Sequence, residues 1–295
     1  MALKHPHVES ALRSLEARAL PEGGFPSKSG EPFRSDATAW AILPLLFFDR
    51  NHPLLGSARA RLAQVQAADG SVSVAVDHTD AYWPTAISVL AWSGSPVHDA
   101  PRHRGVQFLL DVTGRHWKKE AGDSVGHDTS IPGWSWIADT HSWVEPTALA
   151  MCALRANGLA HHKRVSDGVR LLMDRQLPNG GWNYGNTRVF GSELHQAPES
   201  TGAALQALAG LVPYQDIRKS IDYLKAEVGR ARTPIALGWS LLGLGAWGNA
   251  PKGSLGLILQ TLERQQRYGP YDTSSLALVL LASAAPGGIL EVHAT

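Results

Sequence analysis

The residues most able to do chemistry are carboxylates and imidazoles gathered ahead of apolar, alanine-rich segments. Glu145 stands immediately before one such segment, at the end of a long loop that begins at His127 and carries Asp128, Asp139, His141 and Trp143. Asp36 and Glu199 occupy the matching place before two other segments, Asp272 stands within one residue of it before a fourth, and Glu193 and His195 lie in the loop leading to Glu199. Carboxylates in such positions serve either of two ends. They complement the positive end of a helix, or they act as general acids and bases when burial and neighbours tune them. Glu145 carries both readings, with Asp139 and His141 as its partners in catalysis, whereas Asp36, Glu199 and Asp272 read first as helix-terminal acids. Asp139, His141 and His195 are the one set that could ligate a divalent metal. Cys152, the only cysteine, falls inside an apolar run, where a lone thiol is usually core, and its being alone excludes an intrachain disulfide and a finger-type zinc site.

Tryptophan supplies 10 of the 22 aromatic residues, and that share directs attention to where the indoles fall. Trp83, Trp143 and Trp239 lie at or near the starts of apolar segments, Trp40 one turn into another, and Trp134 and Trp136 in the long loop. Aromatic faces placed around a cavity hold an apolar chain, stabilise a cation, or stack on a sugar ring. Together with Asp36 and Glu199 they form the expected substrate-binding set. Trp182 reads instead as a clamp between structural units.

The elements that position these residues repeat. Apolar segments open with Asp36-Ala-Thr-Ala, Trp83-Pro-Thr-Ala, Glu145-Pro-Thr-Ala, Glu199-Ser-Thr-Gly, Thr233-Pro-Ile-Ala and Tyr271-Asp-Thr-Ser. Proline suits the first helical position, where its missing N–H costs nothing, and acids suit the same end. The runs that follow are apolar on nearly every side, which predicts helices buried all round. Each is preceded by a stretch such as Val165 to Gln176 or Ile217 to Glu227, where charges alternate with apolar residues at three- and four-residue spacing. That pattern predicts helices with one wet face. Six buried helices alternating with six amphipathic ones predict an inner ring inside an outer ring. The fold class expected is all-α, an (α/α)6 toroid in one domain spanning 1-295, with repeats at about 8-48, 56-93, 103-156, 165-211, 216-247 and 253-285.

A second marker sits in the loop between outer and inner helix: Gln176-Leu-Pro-Asn-Gly180-Gly-Trp182, a QxxxGxW spacing. Partial copies are Gln66 with Gly70, Gln265 with Gly269 and Tyr271, and Gly24-Phe25. The glutamine is expected to bond the carbonyls ending its own helix, the glycine to turn the chain, and the aromatic to pack across to the next pair. QxxxGxW loops in a sixfold helical-pair array resemble the terpenoid cyclase and protein prenyltransferase superfamily, whose members carry squalene cyclase and prenyltransferase repeats. The resemblance covers about Val8 to Ala285.

That resemblance implies a Trp-lined central cavity with acids at its mouth and an isoprenoid-handling enzyme, terpene cyclase-like or prenyltransferase-like. It also allows a partner subunit, since the prenyltransferase rings pair with one. Departures from the family are visible. The DxDD cluster of squalene-type cyclases is reduced to single acids at Asp36 and Glu145, and the zinc-ligand set of prenyltransferases is not reproduced, so no cofactor is indicated. Arg188 and Arg232, in loops before inner helices, are diphosphate contacts by position alone. Two other classes stay open: a carbohydrate-active hydrolase or lyase using Glu145 with Asp139, Asp128 or Glu199, and a non-catalytic binding or scaffold protein.

Bulk properties narrow the remaining possibilities. A net charge of +1 with no basic run longer than two residues gives no footprint for nucleic acid. No segment reaches the length of an apolar membrane span, and the N-terminus lacks the apolar core of a secretion signal, so the cytoplasm is the expected compartment.

Overall fold

The computed structural model describes residues 5–75, 77–120 and 125–293. Thirteen α-helices account for most of it, and a two-residue hairpin, β1 (Arg188–Val189) with β2 (Ser192–Glu193), is the only paired sheet among the described residues. The inner helices are α2 (Ser35–Phe48), α4 (Pro84–Trp92), α6 (Val144–Ala156), α8 (Pro198–Leu208), α10 (Pro234–Ala246) and α13 (Thr273–Ala284). Each packs on the next in that order, and α13 packs on α2, which closes the ring. The outer helices are α1 (Pro6–Glu16), α3 (Leu54–Val65), α5 (Asp99–Asp111), α7 (Lys163–Asp174), α9 (Tyr214–Glu227) and α11 (Ser254–Glu263), the last followed by the single turn α12 (Gln265–Tyr268). Among them α3, α5, α7, α9 and α11 each pack on the inner helix that precedes them, and α1 packs on α13. The molecule is an (α/α)6 toroid.

The physical reason for the two layers lies in which faces are dry. Inner helices α4 and α13 are buried at every position except Ser274, and α2, α6, α8 and α10 along nearly their whole length, as helices without a polar face must be. Helix α8 meets α10 backbone to backbone: a methyl group on Gly202 would lie 2.2 Å from the Trp239 carbonyl oxygen, and one on Gly243 would lie 2.5 Å from the Gly202 carbonyl oxygen. Only glycine permits that approach.

The threonine that recurs at the inner-helix starts has a structural duty. Thr38, Thr85, Thr147 and Thr201 each accept a hydrogen bond from the backbone N–H of Phe25, Val72, Trp134 and Trp182, at 2.8, 2.8, 3.1 and 2.9 Å. Each hydroxyl also lies within bonding distance of the carbonyl of the same residue. In Thr38 and Thr85 the hydroxyl's single proton has nearer acceptors, the Arg34 and Tyr82 carbonyls at 2.7 Å, so the bond common to all four is the one that the loop N–H donates.

The QxxxGxW loop works differently from the expectation. Gln176 donates to the Asp216 carbonyl and the Ser220 hydroxyl on the next outer helix, and Gln66 to the Pro101 carbonyl on its next outer helix as well as to Gly70. The glutamine bridges pairs. Trp182 donates its indole N–H back to Leu172 of its own outer helix, at 2.6 Å. Gly23, Gly70 and Gly180 all have φ between +84° and +94°, and a Cβ on any of them would strike backbone of the next outer helix at 2.7 Å or less.

The end of the ring opposite the inner-helix N-termini is covered. The 3-10 turn Ile289–His293 contacts α2 and α6, and the side-chain amide oxygen of the buried Gln206 accepts the Ile289 N–H at 2.9 Å. No helix is long and apolar enough to cross a membrane among the described residues.

Candidate active site at the ring mouth

The inner helices all begin at one end of the ring, and the loops that precede them build its mouth. The long third loop contributes most. Its strand-like segments are tied down by Arg115 N–H to the Thr140 carbonyl at 2.8 Å, by Ala138 N–H to Asp80 at 2.8 Å and by Trp143 N–H to Trp134 at 2.9 Å. The hairpin β1–β2 leans on the same loop through Gly126 N–H to the Arg188 carbonyl. Between these pieces lies an open concavity of about 870 Å³ lined by Arg115, Trp117, Trp136, Ile137, Asp139, Thr140, His141, Trp143 and Tyr184. Of these, Asp139, His141, Trp136 and Trp143 stand out in the sequence. Arg115, Trp117, Ile137, Thr140 and Tyr184 do not, because no repeat position or motif marks them.

Glu145 sits in the first turn of α6, half-buried, and its carboxyl is pushed up to about 7. Burial is the main cause, repulsion from Glu199 adds to it, and hydrogen bonding by the Trp239 side chain opposes it. Glu199 starts the adjacent helix α8 and accepts a 3.4 Å hydrogen bond from the Tyr184 hydroxyl. Tyr184 in turn feels both carboxylates: the charge on Glu199 first, then burial and the hydrogen bond, with Glu145 adding, hold its phenol above the ordinary range. Two carboxyls and a phenol therefore meet where α6 and α8 open. Burial and repulsion between the two carboxyls place Glu145 near half protonation at neutral pH, a state from which it can give up a proton as a general acid.

Three of the other acids are occupied. Asp36 is held by the Arg34 guanidinium through two bonds of 2.9 and 3.1 Å. Asp272 caps α13 by accepting from the Ser275 N–H and hydroxyl. Asp128 does the same for Ser130, whose two bonds hold its carboxyl below the usual range. Asp139 is exposed at the edge of the concavity in a left-handed conformation, φ +60°. Glu193 and His195 are exposed at and beside the hairpin.

His141 packs against Trp143 with ring centroids 4.1 Å apart and planes tilted by 41°, and burial, with Arg175 adding, holds its imidazole below the ordinary range. His127, expected on a surface or loop, is in the loop but buried, and burial together with Arg175 pushes it down to about 4.

The tryptophans divide into two groups. Trp136 and Trp143 line the concavity, and Trp83 braces Trp136 edge to face at 5.3 Å. Trp40 and Trp239, on the non-adjacent helices α2 and α10, meet edge to face at 5.7 Å and are buried. They fill the interior at that level, so the open volume lies at the mouth instead of running through the ring. Trp134 lies in the packed core, fully buried, with its indole donating to Leu109 and its faces covered by the Arg164 guanidinium at 4.0 Å. Its bonds to Thr147 and to its own outer helix match those of Trp182, so it is the aromatic clamp of the third repeat and not a wall of the concavity.

Metal chemistry finds no fit in these residues. Among the described residues no three His, Cys, Asp or Glu side chains lie close enough to hold an ion, so Asp139, His141 and His195 do not form a ligand set. Cys152 is buried on α6, where burial pushes its thiol up to about 12.

No protein-family model matches the chain. No curated protein matches it either. Solved structures do. The apo type II terpene cyclase MstE from Scytonema aligns with a TM-score of 0.61 at 14% identity, covering 97% of this chain and 100% of that one. A novel α-amylase from Clostridium perfringens aligns with a TM-score of 0.64 at 9% identity, covering 96% and 99%. The ent-copalyl diphosphate synthase from Streptomyces platensis aligns with a TM-score of 0.54 at 18% identity over 97% of this chain, which spans 47% of that enzyme's chain. At these identities the likeness establishes a shared toroidal fold, one that type II terpene cyclases and an α-amylase both use.

Proposed function

We propose that the chain is a single toroidal domain and an enzyme acting on an isoprenoid-type small molecule by general acid catalysis at the ring mouth. The observation that carries this reading is the pairing of Glu145 with Glu199, which do not line the aromatic-walled concavity themselves but reach it through Tyr184, a lining residue bonded to Glu199. Glu145 supplies the proton, and Glu199 keeps that proton in place by repulsion between the two carboxyls. Trp136, Trp143 and Tyr184 offer faces to an apolar chain and to positive charge developing on it. His141 and Asp139 border the same space and orient polar groups of the substrate.

Acid strength narrows the reaction. A carboxyl with a pKa near 7 is about half protonated at neutral pH but is too weak to protonate a bare alkene, so the proton acceptor in this reading is an oxygen. Bond cleavage at an allylic oxygen or opening of an epoxide fits; direct alkene protonation does not.

A second reading is favoured by one feature, the openness of the concavity. Trp117 is 44% and Tyr184 57% exposed, and an open aromatic groove beside two carboxylates also suits a glycoside, where one carboxyl protonates the leaving oxygen and the other acts on the opposite side. Turnover separates the two. Wild type and Glu145→Gln are incubated with farnesyl diphosphate, an epoxidised isoprenoid and a series of short oligosaccharides, and products are followed by mass spectrometry. A prenyl or epoxide product that Glu145→Gln no longer makes supports the proposal. Cleaved oligosaccharide replaces it with the glycosidase reading, and no turnover of any compound leaves a binding protein.

A further inference from the structure

A groove separate from the ring mouth concavity concentrates positive charge. It encloses about 830 Å³ where the loop before α10 meets the end of α11, and it is lined by Arg232, Gln260, Glu263, Arg264, Gln266, Arg267 and Tyr268. Three guanidiniums face one carboxylate in a protein whose whole net charge is +1. None of the three is in a salt bridge among the described residues. The single carboxylate, Glu263, is itself 3.9 Å from the His7 imidazole.

The guanidiniums are also positioned. Arg264 donates to the carbonyls of Ala231 and Arg232, both at 3.1 Å, which fixes the loop carrying Arg232 against α11. Arg267 lies over the Tyr268 ring, 5.3 Å from its centroid. A stacked guanidinium keeps its N–H edges free for an acceptor; planar forks match the oxygens of a carboxylate or a phosphate, and three guanidiniums together favour the more highly charged phosphate. Gln260 and Gln266 add amide donors that carry no charge.

We propose that this groove is a binding site for a phosphate-bearing small molecule, held by Arg232 and Arg267 on a frame set by Arg264. The site is independent of Glu145 and of the reaction assigned to the mouth.

The test uses inorganic pyrophosphate as the probe, titrated into the full chain by calorimetry at low salt. Wild type is expected to bind saturably, with affinity falling as salt rises. Arg232→Ala/Arg267→Ala, whose side chains lie on the surface, is expected to keep the wild-type circular dichroism spectrum and melting temperature and to weaken binding by roughly tenfold or more. Lysine at both positions keeps the charge but not the fork, and is expected to restore binding only in part. Glu145→Gln is expected to bind as wild type does. No saturable binding to wild type overturns the proposal, as does wild-type affinity in the double alanine variant, or loss of binding in Glu145→Gln, which would move the site to the ring mouth.

Discussion

Replacing Glu145 with glutamine removes a charge that the folded state resists and leaves shape nearly unchanged. The carboxyl rises from 4.5 to about 7 on folding, so between those values the folded chain holds a proton that the unfolded chain has released. Stability from this group is therefore fully present below pH 4.5 and is lost as pH rises to about 7. At about 1.4 kcal/mol per pKa unit the whole loss is about 3 kcal/mol, of which about 2.5 kcal/mol develops between pH 5 and pH 8. Glutamine has no such loss. Glu145→Gln should gain on wild type by about 2.5 kcal/mol over that range, or about 4 °C in melting temperature for a chain of this size.

The wild-type profile alone would conceal this effect. His127 drops from 6.5 to about 4 on folding, and its contribution has the opposite sign: fully present above pH 6.5 and lost as pH falls towards 4. Over pH 5 to 8 the two nearly cancel, at about 2 kcal/mol for His127 against about 2.5 kcal/mol for Glu145. The measurement is therefore a difference, urea unfolding of both proteins followed by tryptophan fluorescence at pH 5, 6, 7 and 8. Curves for wild type and Glu145→Gln that stay parallel across this range would refute the assignment of a proton to Glu145.

Other outcomes follow from the same geometry. Glu199→Gln should lower the Glu145 titration midpoint without returning it to 4.5, because burial is the larger cause; carboxyl infrared titration reads this directly, and an unchanged midpoint would contradict the pairing. Thr201→Val should cost about 1–3 kcal/mol by leaving the buried Trp182 N–H without its acceptor, while Thr201→Ser retains most of the stability; chemical unfolding distinguishes them. Gly202→Ala should destabilise by about 3 kcal/mol or more, since the added methyl meets the Trp239 backbone, whereas Gly256→Ala on exposed α11, with open space at its Cβ, should stabilise by up to about 1 kcal/mol. Equal melting temperatures for the two glycine variants would remove the close α8–α10 contact from the account.

The toroid was readable because its signals are local and repeated. Proline and acids at helix starts, apolar runs without a wet face, and a glycine turn after each amphipathic stretch all reflect backbone chemistry that holds whatever the neighbours are. The QxxxGxW spacing was readable too, but not which partner each side chain takes: Gln176 bonds the next outer helix and Trp182 its own. Trp134 escaped recognition as a clamp since its repeat lacks the glutamine, although the Gly133-Trp134 pair ahead of a Thr-Ala start was a usable sign. The mouth was legible only in part. Glu145, His141 and Trp143 stand out by position, whereas Tyr184, Trp117 and Arg115 reach the concavity through loop paths that no period describes. Likewise, that Trp40 and Trp239 meet across the ring depends on its closure, which sequence spacing does not convey.

Crystals soaked separately with farnesyl diphosphate and with short oligosaccharides test the central claim most directly. The account predicts a prenyl chain lying along Trp136, Trp143 and Tyr184 with an oxygen of the ligand facing Glu145. A sugar ring seated across Glu145 and Glu199, with no prenyl chain bound there, would contradict it.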